Sequence, residues 1–380
     1  MLPLVLFLPS VLGAAAGGGG ERNTTGLLLR GHGFRFVASA ADVVDVPIDR
    51  AWRVRGPHGA AQTRRFKPPR RATVARCDRA VARLFVDPIW GCGRRSAAAR
   101  AHRQGRWLEC GVDTPPEGAT VVAARGLLGL DLFSPTFQHA VVNGVAALAG
   151  VWDRLLADPQ RRLLCHGTTC ALAAAALGGD ARLVAGRKCE TVYFPSGLVA
   201  VLSRGDIPPR GAYDALIPPY VASLLSGANA AYGRRLLVYA SRNHDAFKGK
   251  RTVANESAVI ARLRAVADGT PGLTFHLFRF ESQADSARIF ADAEVVVGPH
   301  GGALANVVFC RESAAVVEIM PERHARLYFA GVAYARRLRF YAFQADRFLS
   351  YDAPDIVVDP DALAALVRVA LRERGDDPGD

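Results

Sequence analysis

Val295-Val296-Val297-Gly298-Pro299-His300-Gly301-Gly302-Ala303 is the stretch on which the reading of the fold turns. Three valines in a row suit a strand, Gly298-Pro299 ends it, and the small residues beyond His300 let a helix begin at once over 303–309. An unbroken apolar run, as opposed to an alternating one, belongs to a strand covered on both faces, and so to a parallel sheet with helices on either side. The same signature recurs outward in both directions. Upstream, 236–240 is a short apolar run. Asn255 stands where it can cap a helix whose Val259, Ile260, Leu263 and Val266 fall at helical spacing, with Gly269 placed to end it. A strand at 273–278 follows, then Ser282 and Asp285 at capping-box spacing for a helix ending near Asp292. Downstream come a strand at 315–319, a helix at 322–336, a strand at 338–341 and, from Asp359-Pro360, a closing helix through Leu371. Five strands joined by four crossovers predict a doubly wound α/β sheet over 221–358, with 359–371 as its closing helix and 372–380 as a frayed tail.

The chain has 380 residues, half of them hydrophobic, which exceeds the roughly 250 to 300 at which one core stops growing and predicts two domains. A second α/β unit is expected over 80–204, from a strand at 120–123, a helix at 136–156, a strand at 162–166, a helix at 168–177 and short strands at 182–184 and 190–194. Residues 205–220 carry Pro208-Pro209 and Pro218-Pro219, and because the residue before a proline is pushed away from helix they read as the inter-domain linker. Residues 17–79 are rich in Gly, Arg and Pro and read as a loop-rich segment. Residues 1–16 have an apolar core followed by Gly13-Ala14-Ala15-Ala16, the pattern of a secretory signal peptide; a buried start is the alternative. No run of ~20 apolar residues is present to span a membrane. Sequons at Asn23 and Asn255 fit a secretory-lumen protein of the Golgi or endoplasmic reticulum, or a secreted one, with both as glycosylation sites.

The net charge of +13 comes almost wholly from arginine spread along the chain, without the dense basic block or interleaved aromatics of a nucleic-acid groove; a small anionic substrate suits it better. Among seven cysteines none has metal-ligand spacing; the first six can form one or two disulfides, and Cys310, in an apolar context, reads as a buried thiol.

Ligands of open parallel sheets settle beyond the carboxyl ends of the strands. There the turn at Gly298, His300, Gly301 and Gly302 would offer backbone amides and a helix start to an anion, with His300 donating to a phosphate oxygen; an ordinary βα turn is the alternative. Arg242 ends the first strand of this domain and would reach the same rim, with Arg251 at the next helix start; solvated surface arginines are the alternative. Glu318, in the fourth strand, would accept from a ribose hydroxyl or else pair with an arginine.

The string Gly298 to Asn306, preceded by Ser241-Arg242 and Arg251 to Glu256 and followed by Val317-Glu318-Ile319, resembles glycosyltransferase family 61, which includes plant xylosyl- and arabinosyltransferases and animal O-linked N-acetylglucosaminyltransferases. The likeness is specific over 236–343; before that, Phe137-Gln138-His139 and Tyr193 to Gly197 resemble weaker elements. Gly302, Ala303 and Ala305 depart from the usual pattern, and the hydroxyl expected at Ala305 is missing. The resemblance implies a GT-B fold, two Rossmann-type domains facing a cleft, with 80–204 on the acceptor side. It also implies a UDP-sugar donor, inversion at the anomeric carbon, no required metal or other cofactor, and a glycan or glycoprotein acceptor. Either N-acetylglucosamine or a pentose such as xylose could be the sugar transferred. Asn306 joins the donor-site residues on this basis. Asp359-Pro360-Asp361, the one Asp-x-Asp, is placed as a helix cap and not as a metal loop. The base for the acceptor hydroxyl is assigned to His139, with His166 as second choice; a histidine that merely orients the acceptor is the alternative. Two rivals to a transferase remain: a non-catalytic sugar-nucleotide or glycan-binding protein, and a nucleic-acid binder.

Overall fold

The computed structural model describes residues 27–31, 34–38, 40–44, 53–55, 61–63, 70–77, 79–83, 108–129, 136–187, 190–204, 212–225, 233–243, 251–320, 328–345 and 355–373. The expected signal peptide, the Asn23 sequon and, from the expected tail at 372–380, all but Arg372 and Glu373 lie outside these residues; Arg372 ends the closing helix.

The C-terminal sheet is built as its apolar runs demand. Strands Arg235–Ala240, Leu273–Phe278, Ala293–Pro299, Ala315–Met320 and Arg339–Gln344 are all parallel, and the second lies outside the first, giving the spatial order 2-1-3-4-5. Successive side chains enter different cores. Leu236, Val238, Ala240, Val296 and Val316 join one cluster, while Leu237, Tyr239, Val295, Val297, Val317 and Ile319 join another. The second cluster is closed by helices Glu256–Asp268 and Pro360–Arg372, the first by Gln283–Ala291, Gly302–Phe309 and Tyr328–Ala335. Apolar residues on both faces of a strand, as over 236–240 and 295–297, suit the middle of this sheet, where neither face meets water.

Several local expectations hold. Ser282 Oγ accepts from the Asp285 amide, and Asp359 accepts from the amides of Asp361 and Ala362, confirming a cap at the Asp-x-Asp. Others need correction. Gly302–Phe309 is a 3-10 helix and not an α-helix. Asn255 stands at the N-cap but makes no capping bond. Its amide instead donates to the Val358 carbonyl (2.7 Å) and accepts from the Val358 amide (3.2 Å), tying the closing segment to the sheet.

The N-terminal half holds a second sheet with a parallel centre. Leu183–Ala185, Arg162–Cys165, Gly126–Gly129 and Leu198–Arg204 run parallel in that order, a 3-2-1-4 arrangement. Its first crossover contains the helical run from Phe137 to Ala157, interrupted by a π-helical turn at Ala140–Gly144 that periodicity did not foretell. A further mixed sheet includes Ala80–Arg83 and Thr191–Phe194.

The segment expected to be loop-rich contributes strands to three of the four sheets among the described residues. Arg70–Cys77 and Ala40–Val44 add antiparallel to Leu198–Arg204, Arg53–Arg55 adds parallel to Arg339–Gln344, and Leu27–Gly31 with Phe34–Ala38 extends the mixed sheet. These are pairings at sheet margins, set by distant partners and not by local pattern. The expected linker is likewise helical over Ala212–Leu225, despite Pro218 and Pro219. Tyr213, Leu216, Ile217 and Tyr220 are buried at i, i+3, i+4 and i+7, while Pro218 is exposed. Burial of that face outweighs about 3 kcal/mol per interior proline. Tyr220 stacks on Phe309 at 6.5 Å and Arg336 pairs with Asp214 at 3.1 Å, so this helix bridges the two halves. No single helix among the described residues is long and apolar enough to cross a membrane.

Candidate functional site

In the order 2-1-3-4-5 the chain leaves the first strand toward one side and the third toward the other, opening a crevice between their carboxyl ends. Arg235–Ala240 runs into Ser241-Arg242 at this point, and Ala293–Pro299 runs into His300-Gly301-Gly302 beside it. The topology thus joins two sequence elements nearly sixty positions apart.

The glycines are explained by what a side chain would strike. At Gly298 an added Cβ would sit 3.0 Å from the Ala240 carbonyl oxygen, since the two strands close together there. At Gly301 it would sit 1.9 Å from a terminal nitrogen of Arg242, so the guanidinium lies flat on the turn. At Gly302 it would meet Gln138 Oε1 at 3.2 Å. The first main-chain bond of the 3-10 helix runs from the Leu304 amide to the Gly301 carbonyl (2.9 Å), which places the Gly302 and Ala303 amides ahead of the helical ladder. An anion at this turn would meet these donors and Arg242 together.

Arg242 is only 3% exposed. Burial, reinforced by the positive charge of Arg251, lowers its pKa to about 10, still leaving it cationic at neutral pH. Arg251 donates to the His300 carbonyl at 3.1 Å, bringing the second guanidinium to the same turn. Its φ of 59° is left-handed, a costly conformation for a residue with a Cβ and the sort of strain found at binding sites.

His300 and Glu318 form a buried pair: the ring Nδ1 meets Glu318 Oε1, and the residues are 2% and 0% exposed. The expected ribose contact of Glu318 is therefore corrected. A fully enclosed carboxylate cannot reach a ribose, and its partner is a histidine, not an arginine. Burial pushes the Glu318 pKa up, and His300 opposes that shift. With Nδ1 engaged by Glu318, Nε2 is the ring nitrogen left to donate. Phe329 and Tyr328 flank the imidazole at centroid distances of 5.1 and 6.1 Å. Asn306 is buried on the 3-10 helix and donates to the Ala303 carbonyl at 2.9 Å.

His139 belongs to the N-terminal half yet stands next to this turn. Thr136 Oγ1 accepts from the His139 amide, Phe137 stacks on Phe309 at 5.6 Å, and Gln138 lies over Gly302. The ring is exposed, and its Nδ1 lies 3.2 Å from Asn143 Oδ1; with Nδ1–H donating to that oxygen, Nε2 is the nitrogen left to accept. Neither Asn143 nor Gln138 was singled out from sequence, although the i, i+4 spacing of His139 and Asn143 on a helix was a visible signal. His166 is engaged within its own sheet: its Nδ1 donates to the Gly186 carbonyl at 2.7 Å, and the adjacent Cys165 is disulfide-bonded to Cys170. Cys310 is a buried free thiol, as its apolar context predicts. Asn255 is outside the crevice and half-buried, its amide engaged by Val358.

Among the described residues no group of three or more His, Cys, Asp or Glu side chains converges as a metal site would need. No curated protein matches the chain. A family model does, and it covers both His139 and the glycine turn: residues 137–317 match Glycosyltransferase 61, the family to which this chain is similar.

Proposed function

We propose that the protein is an inverting glycosyltransferase that moves a sugar, N-acetylglucosamine or a pentose such as xylose, from a UDP donor to a hydroxyl of a glycan or glycoprotein. One observation carries the reading. Two guanidinium groups, Arg242 and Arg251, are brought together at one glycine turn at the switch point of a parallel sheet, where the charge of one disfavours the charge of the other. A diphosphate relieves that repulsion and accepts from both the arginines and the turn amides.

In this reading the two parallel sheets are the facing halves of a GT-B enzyme, with the donor on the C-terminal side and the acceptor on the other. The acceptor hydroxyl loses its proton to Nε2 of His139 as its oxygen bonds to the anomeric carbon, and the bond from that carbon to the diphosphate breaks on the opposite face. Arg242, the Nε2 hydrogen of His300 and the turn amides stabilise the charge that develops on the departing UDP. No metal is needed where fixed cations supply this stabilisation. The Cys165–Cys170 disulfide supports a place in the oxidising secretory lumen.

The test is calorimetric titration with UDP, GDP and CMP, with and without EDTA, followed by donor hydrolysis across a panel of UDP-sugars. UDP is expected to bind best and EDTA to leave its affinity unchanged. Failure of the wild type to bind any of the three nucleotides overturns the proposal.

A further inference from the structure

Adjacent glycines in the donor turn are covered by side chains from opposite halves of the chain. Arg242 lies against Gly301, and Gln138 lies against Gly302. Gln138 is not held there by chance of surface packing. The Thr136 cap, the stacking of Phe137 on Phe309 and the start of the π-helical turn after His139 fix the backbone on both sides of it. Its amide is neutral, in contact with a turn where Arg242 supplies the charge.

We infer that Gln138 recognises the transferred sugar. The inference rests on the donor reading above and follows from order in space. Inversion requires the acceptor oxygen, the anomeric carbon and the leaving oxygen in line. With the diphosphate at the Arg242 turn and the base on His139, the sugar ring is to be placed between them, and Gln138 precedes His139 with its Oε1 3.2 Å from where a Cβ on Gly302 would stand. A carboxamide is suited to that position because one end donates and the other accepts, matching hydroxyl or acetamido groups of a sugar, whereas a phosphate takes only donors. Gln138 therefore acts on the sugar and Arg242 on the diphosphate.

The experiment compares UDP, UDP-N-acetylglucosamine and UDP-xylose as calorimetric ligands of the wild type, Gln138→Ala and Gln138→Asn. UDP affinity is expected to stay within about twofold of wild type, while affinity for the preferred UDP-sugar falls about three- to tenfold, as loss of one hydrogen bond implies. Gln138→Asn, one methylene shorter, keeps the amide and serves where the alanine variant folds poorly; it too is expected to lose sugar affinity selectively. Equal weakening of UDP and UDP-sugar makes Gln138 a prop for the turn and overturns the inference while leaving the donor reading intact. Unchanged affinity for every ligand overturns it as well. A wild type that binds no UDP overturns both.

Discussion

Replacing Gly301 by alanine tests the centre of the site with little disturbance to the fold. The residue has φ 174° and ψ 172°, extended backbone that alanine adopts freely, so no strain is introduced. The new methyl would stand 1.9 Å from Arg242 Nη1, 2.8 Å from its Cζ and 3.0 Å from its Cδ. Something must move, and the movable group is the end of the arginine. Once displaced, Arg242 gives up its contacts at the turn but sheds the repulsion of Arg251 and regains water, and the lost glycine entropy of the unfolded chain adds about 0.4 to 1 kcal/mol of stability. Folding stability is therefore expected to change by less than about 1 kcal/mol. Donor binding should change far more, because a charge-assisted hydrogen bond contributes about 1.5 to 3 kcal/mol, which is about 10- to 150-fold in affinity. Calorimetry with UDP, alongside urea denaturation, reads both quantities. The cause is checked by a double-mutant cycle. If Gly301→Ala acts by displacing Arg242, then Arg242→Ala and the double variant should bind UDP equally weakly. Additive losses, or wild-type affinity in Gly301→Ala, would refute the reasoning. Gly298→Ala is the contrasting case, for its methyl meets the Ala240 carbonyl, and main chain cannot swing aside.

Two further outcomes are expected. His139→Ala should spare UDP binding and abolish transfer, and Asn143→Ala should lower kcat with a smaller loss, since it frees the imidazole without removing it; full turnover in His139→Ala removes its role as base. Glu318→Gln removes a carboxyl whose folded pKa is raised above its ordinary 4.5. Below that value both states of the wild type are protonated there. As pH rises through it the unfolded chain releases the proton first, so wild-type stability should fall relative to the variant, as measured by paired thermal melts; parallel pH profiles would show that burial does not govern this group.

Much of the C-terminal half was legible in one dimension. Runs such as Val295-Val296-Val297 and Leu236 to Ala240 are apolar without alternation, as a strand covered on both sides requires, and the caps at Ser282 and Asp359 act through bonds to residues two or three positions away. Such signals survive in sequence because their physics is local. The strand-end positions of Arg242 and His300 followed from the same reasoning, whereas the crevice between them came from the strand order that the structure revealed.

Other features depended on partners that no window of sequence contains. The early strands, among them Ala40–Val44 and Arg53–Arg55, exist because sheet margins elsewhere accept them, and Ala212–Leu225 is helical through two prolines because Tyr213, Leu216, Ile217 and Tyr220 find a core to enter. The commitment of Glu318 to His300, and the meeting of Gln138 with Gly302, were decided by packing across strands and across halves of the chain. Sequence by itself determined which segments prefer strand or helix, because those preferences arise within a few bonds. Only the tertiary structure decided what each polar side chain faces, because burial and charge are set by the neighbours that folding brings near.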